Sequence, residues 1–135
     1  IVALLVLLIV GISGLAACAE CHTPADNRGN RLAGMEFAGG FEFPLPDGSK
    51  VRSANITPDK ETGISNMTKE QFISRFKSFA ATAYQAPEVK AGEFNTVMPW
   101  TFYGRMTEKD LNAIYEYLRT LTPVNHQVEK FTAKR

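Results

Sequence analysis

Hydrophobic side chains are distributed unevenly along this chain of 135 residues. Sixteen of the first 19 residues are apolar, and Cys18 is the only one of the 19 with an ionisable side chain. The run contains no proline and is rich in Leu, Ile, Val and Ala, so it predicts an apolar N-terminal helix over residues 1–17. At about 1.5 Å per residue, a helix through all 19 residues of the run would be roughly 28 Å long, close to the ~30 Å hydrocarbon thickness of a bilayer. We therefore predict a membrane anchor at residues 1–17 that continues into the first helix of a domain formed by residues 18–135.

Two amphipathic helices are predicted in the second half of the chain. Thr68 with Gln71 three residues later has the pattern of a capping box, and Thr107 with Asp110 repeats this spacing. Apolar positions at helical spacing follow each cap: Phe72, Ile73, Phe76 and Phe79 in one helix, and Leu111, Ile114, Tyr115, Leu118 and Leu121 in the other. A proline lies beyond each of these segments and limits its length.

The remaining pattern indicates loops and one short hairpin. Between residues 41 and 52, apolar positions alternate with others on either side of an Asp47-Gly48 turn. Pro44 and Pro46 restrict this pair to an edge or an irregular ribbon. The sequence therefore predicts an all-α fold with long loops and, at most, a short hairpin near residues 41–52.

Composition limits the possible functions of the part of the chain beyond residue 19. Beyond residue 19, fewer than two fifths of the residues are apolar, which is lean for a globular domain. A core this small usually needs a metal, a cofactor, a disulfide or a partner. All 15 basic and 14 acidic residues lie in this part, giving a net charge of +1 without a concentrated basic run. This balance argues against nucleic acid as a partner.

Both cysteines lie in one five-residue motif, Cys18–His22 (CAECH), which is compatible with several chemistries. A zinc ribbon needs a second pair of ligands, and His126 is the only other histidine in the sequence. A thioredoxin-like dithiol needs a preceding strand, where this chain has a long apolar run. A lipoprotein anchored through Cys18 fits the preceding Leu-Ala-Ala residues.

Covalent haem attachment is the fourth interpretation of the motif, and the one we favour. Cys18 and Cys21 are three residues apart, so in a helix their thiols lie one turn apart, as attachment to two vinyl groups requires. His22 would then be the proximal ligand of the iron. Lipid and haem would both need the sulfur of Cys18, so the two interpretations exclude each other.

The sixth ligand of such an iron would be a thioether or a second imidazole. The sequence offers five candidates: Met35, Met67, Met98, Met106 and His126. Met98 is favoured, because it lies in a stretch predicted to be free of helix, residues 94–103, and is followed by a rigid proline. Met106 and His126 remain the main alternatives.

The chain resembles the class I c-type cytochromes over residues 14–123. The resemblance rests on the CAECH motif, on Met98-Pro99-Trp100 and on the final helix, residues 110–118. The loop at residues 54–64 is similar to that of cytochrome subunits serving bacterial membrane dehydrogenases and respiratory complexes. The resemblance implies one covalent haem c surrounded by helices, with His22 proximal and Met98 distal. It also implies that an N-terminal helix crosses the C-terminal one.

A buried haem would also need donors for its propionates. Arg52, Asn55 and Trp100 are the candidates for these contacts. A surface arginine and a turn asparagine are the alternative interpretation of the first two residues.

The expected function is single-electron transfer by a His/Met-ligated haem, not catalysis by the chain itself. We expect a membrane-associated carrier or a subunit of an oxidoreductase complex on the periplasmic side of a bacterial respiratory or photosynthetic chain. Its partners would be the membrane and redox proteins. The alternatives are a haem enzyme or gas sensor with an open sixth site, and the lipoprotein. Because the chain lacks an initiator methionine, we also expect further sequence upstream of it.

Overall fold

The computed structural model describes residues 17–80 and 84–134. Its elements in chain order are α1 (Cys18–His22), β1 (Glu42–Pro44), β2 (Lys50–Arg52), α2 (Lys69–Lys77), α3 (Trp100–Gly104), α4 (Glu108–Thr120) and β3 (Phe131–Thr132). The apolar helix predicted upstream lies outside the described residues except for Ala17. That residue adopts a left-handed conformation (φ 48°) as the N-cap of α1.

The expectation of an all-α fold is wrong. Helices account for 28% of the described residues, and they are accompanied by a three-stranded antiparallel sheet in the order β1-β2-β3. The predicted hairpin near residues 41–52 is confirmed, with Phe43 opposite Val51 and Pro44 at the end of an edge strand. The third strand was missed because a strand of two residues is too short to show an alternating pattern.

The two predicted amphipathic helices are confirmed as α2 and α4. The Thr68 hydroxyl accepts from Gln71 N, and the Gln71 side chain accepts from Thr68 N, which completes the capping box of α2. The Thr107 hydroxyl likewise accepts from Asp110 N at the start of α4. The apolar faces of these two helices form most of the core: Phe72 and Phe76 from α2, and Leu111, Ile114, Tyr115 and Leu118 from α4.

The expectation that residues 94–103 contain no helix is also wrong, because α3 begins at Trp100. This short helix lies against the end of α2, where Gly104 is so close that a Cβ would lie 2.8 Å from Phe76 O. Lys77 Nζ donates to the carbonyls of Gly104 and Met106, the residues at the end of α3 and just beyond it. Tertiary packing therefore stabilises a helix that is too short to form alone.

The C-terminal segment, residues 124–134, runs back across the loops of the first half of the chain. We call it the C-terminal strap. Its strand β3 pairs with β2, placing Phe131 opposite Val51. Nearer its start, Val124 N donates to Thr57 Oγ1 and His126 N donates to Thr62 Oγ1. The strap thus binds two separate parts of the segment that leads to the site described below.

Candidate haem site

The helix α1 presents both thiols from one turn. Cys18 is half-buried and Cys21 is exposed, and neither forms a disulfide. Burial raises the pKa of the Cys18 thiol, and charge on Cys21 raises it further, against a backbone hydrogen bond that lowers it. Cys18 therefore remains a protonated thiol at neutral pH, unlike the activated cysteine of a dithiol oxidoreductase.

The imidazole of His22 is held by one backbone carbonyl. His22 Nδ1 lies 2.7 Å from Ala54 O, and because a carbonyl can only accept, the nitrogen must donate its proton. The neutral ring then has its lone pair on Nε2, which has no hydrogen-bond partner among the described residues. Burial lowers the pKa of His22, although the bond to Ala54 partly opposes this effect. A neutral imidazole with Nε2 available is the form that ligates a metal.

Gly39 allows the three segments around His22 to approach each other. Its N–H donates to His22 O at 2.7 Å, and its Cα lies against the peptide that joins Ala54 to Asn55. A Cβ at this position would lie 2.5 Å from Asn55 N and closer still to Ala54, and the residue has φ +74°. Neither Gly39 nor Ala54 was predicted from the sequence. The Gly39-Gly40 pair indicates a turn but not what packs against it.

The segment that contains Met98 packs against the same core as α1. Both Cys18 and Met98 are partly buried against the cluster formed by α2 and α4. Burial raises the pKa of Tyr103 in α3, and charge on Cys18 and Cys21 raises it further. Met98, Trp100 and Tyr103 thus pack against the same hydrophobic cluster as Cys18 and Ala19 of α1.

The other candidate ligands differ in how they are held. Met67 O accepts from the Tyr115 hydroxyl, and Met106 O accepts from Lys77, so the backbone at both methionines is bound within the helical core. Met35 lies in the loop before β1 and is not part of the core cluster. His126 belongs to the C-terminal strap, where Nδ1 lies 2.9 Å from Ala38 O. Met67 and Met106 also contact the core, so burial alone does not separate them from Met98.

Two of the three candidate propionate donors have extensive protein contacts. Arg52 binds Glu42 Oε2 through Nε and Nη2, at 3.1 and 2.8 Å, and its Nη1 donates to Thr132 Oγ1. Asn55 is 5% exposed, and its amide donates to Val124 O at 2.8 Å. Trp100 stacks on Phe79 with ring centroids 5.0 Å apart and an interplanar angle of 18°. Contact of any of these three residues with a propionate stays a prediction.

The donor set around α1 fits a covalent haem. Two free thiols lie one helical turn apart, and the adjacent imidazole has Nε2 available. A methionine thioether and the ring of Trp100 pack on the same core. Among the described residues, no three side chains of His, Cys, Asp and Glu form a group that could hold a metal ion by themselves. A haem brings its own iron and needs from the chain only the two thiols and the axial donors.

Comparison with known proteins gives a consistent result. The profile of the cytochrome c family matches residues 12–122. The chain is 33% identical over 105 residues to the fructose dehydrogenase cytochrome subunit of Gluconobacter japonicus. This alignment covers 78% of this chain and 19% of that protein. The chain is also 33% identical over 110 residues to the cytochrome c subunit of the quinone alcohol dehydrogenase of Gluconobacter oxydans, with the same shares covered.

A third relative is the gluconate 2-dehydrogenase cytochrome c subunit of Pantoea cypripedii. It is 31% identical over an alignment of 104 residues, and the alignment covers 74% of this chain and 19% of that protein. The chain thus spans about a fifth of the length of these curated relatives. The family match covers most of the chain, including the motif helix, the Met98 segment and α4. The chain therefore belongs to the cytochrome c family, and its cofactor is a covalently bound haem c.

Proposed function

We propose that this chain transfers single electrons through a haem c bound to Cys18 and Cys21, with His22 and Met98 as the axial ligands. The observation that supports this most directly is the hydrogen bond from His22 Nδ1 to Ala54 O, because it leaves the lone pair of the neutral ring on Nε2, in the residue that directly follows Cys21. When bound, the haem supplies an iron that accepts one electron as Fe(III) and gives it up as Fe(II). With both His22 and Met98 bound to the iron, no coordination position would remain for a substrate.

The residues around this site would set how readily the iron is reduced. Apolar side chains of α2 and α4 exclude water, which disfavours the more highly charged oxidised state. A thioether ligand also favours Fe(II) relative to a second imidazole. Both effects raise the reduction potential, so the chain would accept electrons from a low-potential donor and pass them to a more oxidising acceptor.

The names of the relatives suggest which kind of protein complex this electron transfer serves. Each of the three is the cytochrome subunit of a bacterial dehydrogenase. We infer that this chain also serves as an electron-carrying subunit or carrier for a dehydrogenase or respiratory complex, while substrate oxidation takes place on another protein. A transient interface at the haem would suit rapid turnover.

A pyridine haemochrome spectrum tests the cofactor assignment. We expect the spectrum of haem c, with haem that stays on the polypeptide during acidified-acetone extraction. Cys18→Ala and Cys21→Ala should each retain haem through the remaining thioether, and the double variant should release all of it. A lipid on Cys18 without any haemochrome signal would contradict the proposal. Ready binding of CO to the native reduced protein would favour an open sixth site over electron transfer.

We also propose that the chain is associated with the periplasmic side of a bacterial membrane through its apolar residues 1–17. Leucines in this run would promote aggregation if they were exposed to water. Within residues 17–80 and 84–134, no helix is long and apolar enough to cross a bilayer. We expect carbonate washing to leave the protein in the membrane pellet, and replacement of Leu4, Leu5, Leu7 and Leu8 by Ser to release it. Release of the unaltered protein as freely as a soluble marker would refute this association.

A further inference from the structure

We propose that Asn55 is a positioning residue for His22, because its hydrogen bonds to the C-terminal strap fix the Ala54 carbonyl that accepts the His22 Nδ1–H. The inference rests on the proposed function, in which His22 is the proximal ligand of the haem iron. It assigns to Asn55 and to the strap a role in setting the properties of the haem, although neither contributes a ligand.

Ala54 and Asn55 are joined by the peptide bond whose carbonyl accepts from His22. The carbonyl of Ala54 and the Cα of Asn55 belong to one planar peptide unit. Fixing Asn55 therefore leaves the carbonyl free to move only by rotation about the Asn55 N–Cα bond. Gly39 packs directly against this peptide and restricts that rotation.

The side chain of Asn55 makes several hydrogen bonds. Its side chain is 5% exposed, and both of its polar atoms have partners. Nδ2 donates to Val124 O at 2.8 Å and to Thr62 Oγ1 at 3.0 Å. Oδ1 accepts from Thr57 N at 3.0 Å and from Thr57 Oγ1 at 2.8 Å. A buried amide with all of its bonds made has one orientation, because any other orientation leaves a polar atom unpaired.

The C-terminal strap is itself held in place by contacts next to its hydrogen bond with Asn55. His126 N donates to Thr62 Oγ1, the same hydroxyl that accepts from Asn55. The His126 ring covers Gly40, where a Cβ would lie 2.9 Å from it. The strap, Asn55 and the loop before β1 therefore form one packed unit around the peptide that binds His22.

The position of the Ala54 carbonyl sets the strength of the hydrogen bond that it accepts from His22 Nδ1. A strong bond increases the basicity of Nε2, and a more basic ligand stabilises the oxidised iron. If the carbonyl moves away, the imidazole becomes a weaker donor and the reduction potential rises. The Nδ1 proton also becomes more accessible to solvent. These two effects are specific to a positioning role, since a merely structural residue would change only overall stability.

The test uses the haem-loaded protein and three variants. Asn55→Ala removes the contacts to the strap, and Thr62→Val removes the hydroxyl shared by Asn55 and His126 while nearly preserving shape. Asn125→Ala is the matched control, because Asn125 lies in the same strap but binds the exposed carboxylate of Glu61. The readouts are haem content, solvent exchange of the His22 Nδ1 proton by NMR, amide exchange of α4, and reduction potential.

We expect Nδ1–H exchange to increase by about tenfold in Asn55→Ala, the factor that corresponds to loss of about one net hydrogen bond. Thr62→Val should show a smaller increase in the same direction. The reduction potential should rise in both variants, while the α4 amides exchange as in the parent protein. Asn125→Ala should leave every readout unchanged.

Unchanged Nδ1–H exchange and potential in a haem-loaded Asn55→Ala protein would overturn the inference but leave the proposed function intact. An equal acceleration of the Nδ1 proton and the α4 amides would overturn it too, since it would indicate general destabilisation. If the Asn55→Ala protein does not retain haem, the same measurements on the haem-loaded Thr62→Val protein test the inference, and the same two outcomes would overturn it. Absence of haem c from the parent protein would instead refute the proposed function, and the haemochrome spectrum detects that outcome separately.

Discussion

Replacement of Met98 by Ala is expected to lower the reduction potential of the haem-loaded protein by on the order of 0.1 V, since axial ligands set haem potentials over a range of about 0.8 V. A thioether stabilises Fe(II), and water or an empty position in its place favours Fe(III). The variant should also bind CO readily when reduced, whereas the parent protein should not. Redox titration and CO difference spectra measure the two effects.

Met106→Ala is the matched control for this experiment. Met106 is also partly buried against the core, so its truncation removes a comparable volume. We expect Met106→Ala to reduce stability while leaving the Met–iron absorption band and the potential near those of the parent. If Met106→Ala opens the sixth site and Met98→Ala does not, the assignment of the distal ligand is wrong.

Replacement of Gly39 by Ala is expected to destabilise the protein by roughly 2–5 kcal/mol and to prevent normal haem loading. About 1–2 kcal/mol arises from a left-handed conformation (φ +74°) in a residue with a Cβ. A further ~1–3 kcal/mol arises from overpacking against the peptide between Ala54 and Asn55. Because that peptide accepts the bond from His22, the clash should also displace this imidazole, the proposed proximal ligand. Chemical denaturation and haem content together measure the effect.

Gly34→Ala separates these two contributions. Gly34 has nearly the same backbone conformation, φ +77°, but nothing lies within 4 Å of the position its Cβ would occupy. We expect Gly34→Ala to cost only the conformational part, about 1–2 kcal/mol, and to bind haem normally. Equal effects of the two substitutions would show that close packing of Gly39 on Ala54 does not matter for the site.

The parts of the fold that could be predicted are those with local causes. The caps of α2 and α4 form between residues three apart, and the apolar faces recur within each helix. The parts that could not be predicted depend on distant partners. The helix α3 is stabilised by its contact with Phe76 and Lys77, more than 20 positions earlier in the chain. Strand β3 exists only because the strap returns to β2, about 80 residues away in sequence.

The same distinction applies to the site. The sequence by itself determined that Cys18, Cys21 and His22, the proposed attachment motif, lie within about one helical turn, since their spacing is a local property. Only the tertiary structure decided that the Ala54 carbonyl, 32 residues away, orients His22, and that Asn55 and the C-terminal strap hold that carbonyl. Such contacts depend on the path of the whole chain, because a backbone carbonyl has the same chemistry at every residue and acquires a role only from what the fold brings next to it.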